Sequence, residues 1–139
     1  MRIMAFDYGT KRVGIAVTDP LQLIATALNT VHAKDVLDYV KGYLDRETVS
    51  TFVVGEPRQL DGSESESAQH VRGFVRTLRR TFPAIPVETV DERFTSKMAS
   101  ASIAQSGMAR KKRQDKALID SVSAVLILQF YLEKRDFQR

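Results

Sequence analysis

Two apolar, β-prone runs, Ile3 to Phe6 and Val13 to Val17, are separated only by Tyr8-Gly9-Thr10-Lys11-Arg12. A parallel crossover needs about a dozen residues or more, so a spacer this short, with a glycine in it, dictates an antiparallel hairpin. Leu23 to Val31 follows closely enough to add a third strand to the same meander. The next β-prone runs, Thr51 to Val54 and Val87 to Val90, are each preceded by a helical segment, and that spacing calls for right-handed crossovers and parallel pairing.

The helical segments carry their own period. Between Asp35 and Glu47 the apolar side chains are Val36, Leu37, Val40, Tyr43 and Leu44, a stripe with a repeat near 3.6 residues. A polar loop from Arg58 to Ser63 leads into a longer helix with an apolar face of Val71, Phe74, Val75 and Leu78. Arg72, Arg76, Arg79 and Arg80 line the neighbouring face, and Pro83 and Pro86 end the helix. Thr95 is a plausible cap for a helix through Gln105, with Gly107 at its end. Ala117 to Leu132 is apolar on nearly every side and reads as a helix laid on the sheet. Gly55 and Pro57 are expected to stop the fourth strand, and Asp91-Glu92-Arg93 to close the fifth. The order predicts a single α/β domain over 1–139: a mixed five-stranded sheet, a three-strand antiparallel meander plus two parallel strands, flanked by helices. It resembles the order of a ribonuclease H-like domain.

Composition narrows the chemistry. The 139 residues include no cysteine, which excludes a disulfide scaffold, thiolate metal sites and cysteine nucleophiles. No stretch reaches the roughly 18 apolar residues of a membrane span, and the opening MRIMAFDYGTKR turns polar too early for a signal peptide, so a cytoplasmic location is expected. The net charge of +4 is concentrated: residues 110–116 hold five bases and one acid, leaving the remainder balanced at 16 bases and 16 acids. A patch of this kind suits a partner rich in phosphate, and equally a solvated loop.

Carboxylates stand at the ends of apolar elements, where the fold asks for no charge. Asp7 closes the first strand, Asp91 and Glu92 close the last, and Asp120 interrupts the apolar helix. Converging carboxylates repel one another unless protons or cations intervene, and a hard divalent ion with oxygen ligands answers that need. Such an ion, alone or paired, suits phosphodiester hydrolysis. His32 and His70 lie among polar residues and are expected to face solvent.

The segments FDYGTKRVGIAVTD at 6–19, VVGEP with the following DG at 53–62, VDERFTS at 90–96 and IDSVSAVLILQFYL at 119–132 resemble, in order and over essentially the whole chain, the YqgF family of Holliday-junction-resolvase-like nucleases. That family is also described in terms of pre-16S rRNA processing. The resemblance implies a ribonuclease H-like fold, a nuclease dependent on Mg2+ or Mn2+, a cytoplasmic location and a role in maturing the 5′ end of pre-16S rRNA. Carried over by motif, the catalytic and metal-holding acids are Asp7, Glu92 and Asp120, with Asp91 as a possible additional acid. Neighbouring side chains of a strand point to opposite faces, so only one of Asp91 and Glu92 is expected at the site. Glu56 departs from the apolar residue more usual after VVG, and Ser121 or Ser123 stands where alanine is usual.

Arg110, Lys111, Lys112, Arg113 and Lys116 directly precede Asp120 and are expected to grip the nucleic-acid backbone; Lys11 and Arg12 lie near Asp7 and join them as binding candidates. The arginine stripe at 72, 76, 79 and 80 is a weaker candidate. The expected partner is nucleic acid, precursor rRNA ahead of branched DNA, with no membrane and with the protein as monomer or homodimer. A Holliday-junction-type DNA resolvase and a non-catalytic nucleic-acid-binding module are the competing readings. Asp-x-Gly-Thr after a first strand also resembles the phosphate loop of sugar kinases and actin-like ATPases, but those bind nucleotide between two domains and this length provides one.

Overall fold

The computed structural model describes residues 1–57, 67–91 and 116–137, with side chains at 116–121 and at 137 outside the description. In chain order the elements are β1 (Arg2–Tyr8), β2 (Arg12–Thr18), β3 (Ala25–His32), a 3-10 turn (Ala33–Asp35), α1 (Val36–Leu44), β4 (Val49–Glu56), α2 (Ala68–Thr81), β5 (Val87–Asp91) and α3 (Lys116–Phe137). They form one five-stranded sheet in the order β3-β2-β1-β4-β5. β1 pairs antiparallel with β2 and parallel with β4, β2 pairs antiparallel with β3, and β4 parallel with β5. This is the mixed sheet that the spacing of the apolar runs demands. The expected helix over 95–105 and the loop at 58–63 lie outside the described residues.

β1 is central because its side chains are apolar on both faces. Met4, Phe6 and Tyr8 point to a core closed by α1 and α2, whereas Ile3 and Ala5 point to a second core closed by α3. Aromatic packing fixes the first layer. Phe6 meets Phe52 of β4 and Phe74 of α2 edge to face, at centroid distances of 5.6 and 5.3 Å, and Tyr8 stacks on Phe74 at 4.5 Å. Pairs of this kind add about 0.5–1.5 kcal/mol each beyond the area they bury. The apolar face read for α2, Val71, Phe74, Val75 and Leu78, is buried throughout.

Element ends differ from the sequence reading where side chains or remote strands intervene. β3 begins at Ala25 because the carboxylate of Asp19 accepts the backbone N–H groups of Leu21, Leu23 and Ile24 at 3.1, 2.8 and 2.8 Å, taking them out of the ladder. These bonds, that from Ile24 foremost, hold the Asp19 carboxyl below its ordinary range. This turn therefore keeps its support above the usual carboxylate range and loses it as pH falls through the lowered value. β4 runs past Gly55 because Gly55 and Glu56 pair with Val90 and Asp91; Pro57, lacking an N–H, stops it instead. α1 is led in by the 3-10 turn, whose start is capped by His32 accepting the N–H of Lys34 at Nδ1. His32 thus serves as a helix-entry cap.

α3 lies across the second face. Ala124, Ile127, Leu128 and Leu132 bury against Ile3, Ala5, Ala16, Val53 and Val90. The helix continues five residues beyond Leu132, and Phe130, at 44% exposure, lies on its outer side. At its C-terminal end Tyr131 donates to Glu88 of β5, and burial together with that carboxylate pushes its phenol up to about 12. Among the described residues no helix is long and apolar enough to cross a membrane.

Among the described residues, one buried side-chain polar atom has no partner: the Ser123 hydroxyl, 1% exposed. An unsatisfied buried hydroxyl costs about 1–3 kcal/mol. Ser123→Ala is expected to raise stability by about 1 kcal/mol, read as a melting temperature higher by about 2–4 °C; a lower melting temperature would show that the hydroxyl is satisfied in solution.

Candidate active site at the carboxyl edge of the sheet

Because β1, β4 and β5 run in parallel, their carboxyl ends share one edge of the sheet. The chain leaves β1 toward β2 and β3 on one side and places β4 and β5 on the other, so this edge contains the topological switch point where open α/β sheets bind ligands. Asp7, Glu56 and Asp91 stand there, each half-buried and each engaged in a polar interaction.

Strand alternation divides these acids between the two faces. Asp7 follows Ile3 and Ala5 in parity and so faces α3. On β4, Val53 and therefore Gly55 share that face, while Phe52, Val54 and Glu56 face α2. On β5, Val90 packs beneath α3, whereas Val87 packs into the α1/α2 core. The register pairs Glu56 with Asp91, so Asp91 falls on the α2 face, opposite to Asp7. β1 and β5 are not neighbours: β4 lies between them, a separation of about 9.5 Å from two strand spacings.

Two glycines that the sequence reading did not connect with the acids flank Asp7. Gly14 is its partner on β2, and Gly55 follows the Phe6–Val54 pair on β4. Neither carries a side chain, and both are buried. Gly14 was findable by counting back around the hairpin; Gly55 was not, because the β1–β4 register is a long-range property.

α3 carries Asp120. The Arg135 guanidinium donates to the Gln22 side-chain oxygen, and the Gln22 amide donates to the Met1 carbonyl oxygen, which fixes the C-terminal part of α3 beside the start of β1. From this anchor α3 runs back over the sheet face that Asp7 occupies. Lys116 opens the helix one turn earlier, as the shared face with Asp120 requires.

Lys11 and Arg12 belong to the turn beside Asp7, Lys11 exposed and Arg12 half-buried. The turn is tied down from both sides: Gly9 N–H donates to the Arg12 carbonyl at 2.9 Å, and Ala33 N–H donates to the Lys11 carbonyl at 2.9 Å. Glu92 and Arg110, Lys111, Lys112 and Arg113 lie outside the described residues, as do the side chains of Lys116 and Asp120. Among the described residues no three His, Asp or Glu side chains gather into a cation site.

Comparison with known proteins agrees with this layout. A family model described as "RuvX: Holliday junction resolvase" matches residues 1–134. A protein of Porphyromonas gingivalis named "Putative pre-16S rRNA nuclease" is 51% identical over 97% of this chain and 98% of its own length. One of Bacteroides thetaiotaomicron with the same name is 48% identical over 98% and 99%. Among solved structures, Thermus thermophilus RuvC in complex with Holliday junction substrate superposes with a TM-score of 0.55 at 18% identity, covering 96% of each chain. Fowlpox virus resolvase with Holliday junction DNA gives 0.58 at 11%, covering 97% of this chain and 99% of its own. At these identities the likeness is one of fold, the ribonuclease H-like fold of RuvC-like resolvases.

The turn yields a direct test of local geometry. A Cβ on Gly9 would stand 2.8 Å from the Arg12 carbonyl oxygen, a backbone atom that cannot swing aside. Gly9→Ala is expected to cost about 1–3 kcal/mol of stability, while Thr10→Ala, at an exposed position of the same turn, stays within about 0.5 kcal/mol. Chemical denaturation of both variants checks the contrast.

Proposed function

Since the chain belongs to the RuvX (YqgF) family, we propose that it is a nuclease hydrolysing phosphodiester bonds with a divalent cation, Mg2+ or Mn2+, and that it trims the 5′ end of precursor 16S rRNA in the cytoplasm. The observation that carries this reading is Asp7 at the carboxyl end of β1, on the sheet face that α3 covers. The family match over nearly the whole chain and the names of the bacterial relatives support the substrate class.

The donor set suits a hard cation. Carboxylate oxygens are the ligands that magnesium accepts. Asp7, Glu92 and Asp120 would hold the ion, which when bound supplies an activated water and charge neutralisation on the phosphate. Glu92 is preferred to Asp91 because Asp91 is registered against Glu56 on the face opposite to Asp7. Lys11 and Arg12 border the site on the β2 side and Lys116 one helical turn before Asp120, so in this reading they hold substrate phosphates, together with Arg110, Lys111, Lys112 and Arg113. Trimming an RNA end needs one active site, whereas resolving a symmetric junction needs two, so a monomer suffices for the RNA reading.

The test is cleavage of a precursor 16S rRNA fragment and of a synthetic four-way junction, with Mg2+, Mn2+ or chelator. The expected result is metal-dependent cut RNA. Asp7→Asn and Glu92→Gln each lower the rate by about 10³-fold or more, as for members of one catalytic unit, and Asp91→Asn stays within about tenfold with an unchanged melting temperature. Equal cleavage by Asp7→Asn and the parent would refute the assignment. Preferential cutting of the junction would move the substrate to branched DNA, and loss in Asp91→Asn alone would reverse the choice between the two acids.

A further inference from the structure

The balance of charge outside 110–116 conceals a second concentration. α2 carries Arg72, Arg76, Arg79 and Arg80 and no acid at all over its 14 residues. Its buried side is occupied by Val71, Phe74, Val75 and Leu78, so the arginines at spacings of four, seven and eight occupy a single flank. That flank faces the free edge strand β5, with a groove of about 320 Å³ between them lined by Arg72, Arg76, Arg79 and Thr89 and closed at one end by Glu56. Arg76, Arg79 and Arg80 are exposed. Arg79 spends one N–H on the Val87 carbonyl at 3.2 Å, which orients its guanidinium along β5. Glu88, the exposed acid of β5, is turned to the other face, where Tyr131 holds it.

The direction of α2 gives the flank its meaning. The helix starts just beyond the carboxyl end of β4, beside the candidate site, and returns to Pro86, whose carbonyl accepts the Phe52 N–H near the start of β4. From Arg72 to Arg80 the cations advance about 12 Å away from the active edge. Arg76, Arg79 and Arg80, exposed on a rigid helix that carries no acid, repel one another, and a polyanion laid along them relieves that repulsion.

Resting on the nuclease reading for its geometry, we infer that the α2 flank and the β5 edge form a track for the phosphate backbone of the substrate strand leading away from the cut. Arg76, Arg79 and Arg80 contact successive phosphates, and the Thr89 hydroxyl lines the groove floor. Glu56 keeps phosphate out of the groove's inner end, so the strand is engaged from Arg76 outward. The track is separate from Lys11 and Arg12, which lie on the β2 side of the sheet, and it is read by backbone charge rather than by base sequence.

The test uses the full chain in chelator, so that no cleavage enters the readout. Affinity for a single-stranded RNA and for a four-way DNA junction is measured against salt for the parent, Arg76→Gln/Arg80→Gln, and Lys41→Gln/Lys134→Gln. The last removes the same net charge from exposed positions on α1 and α3. Losing two phosphate contacts is expected to reduce the log-log salt slope by about 1.4 on single-stranded RNA and about 1.8 on duplex arms. The lysine variant should keep the parental slope, and all three should melt at one temperature. A reduced slope on RNA alone makes the track an RNA device, and a reduced slope on both probes makes it a general phosphate track. Equal slopes for the two double variants, or no salt-dependent binding by the parent, overturn the inference. If the parent fails to cleave with metal while the arginine effect persists, the catalytic reading falls alone; if Asp7-dependent cleavage persists with equal slopes, the track falls alone.

Discussion

Burial of β1 on both faces is the constraint from which the remaining architecture follows. A strand whose side chains are apolar in both directions must be covered twice, and here the two covers come from different parts of the chain: α1 and α2 on the Phe6 side, α3 on the Ala5 side. The pleat then sorts every residue of β1, β4 and β5 between two environments. Asp7 is the position at which the α3-facing series leaves the core and reaches the edge of the sheet. Its location follows from the same alternation that buries Ile3 and Ala5.

The same sorting separates acids that look equivalent along the chain. Asp7 and Asp91 both end strands, yet they fall on opposite faces, with Asp91 registered against Glu56. The edge is therefore organised as two sides. One is the α3 side, with a carboxylate between two glycines and the helix that carries Asp120. The other is the α2 side, with Glu56, Asp91 and the arginine flank. Tyr131, Arg135 and Gln22 contribute from the far edge by fixing how far along α3 each residue lies.

Charge shows how a whole-chain sum can mislead. The balance of 16 bases and 16 acids outside residues 110–116 suggests a neutral body with one basic segment. Folding instead concentrates four arginines on one helix flank and leaves the neighbouring acids at the groove end or on the opposite face. Local field depends on placement in space, and a linear count cannot carry it.

Much of this was legible in the chain itself. The short spacer at Tyr8–Arg12 determined the hairpin, the helical segments before the later strands determined parallel pairing, and the apolar stripe of α2 named every residue of its buried face but Ala68. These are local properties, set by chain length between elements and by a side-chain period. The ends of β3 and β4 were not legible. They depend on Asp19 drawing backbone donors out of the ladder and on Val90 and Asp91 extending the pairing past Gly55. Likewise the sequence alone named Asp7, Asp91, Glu92 and Asp120 as acids in unusual places. Only the tertiary structure assigned faces to Asp7 and Asp91 and laid α3 over the face of Asp7. Strand register and helix placement are fixed by contacts between residues far apart in the chain, and no local pattern records them.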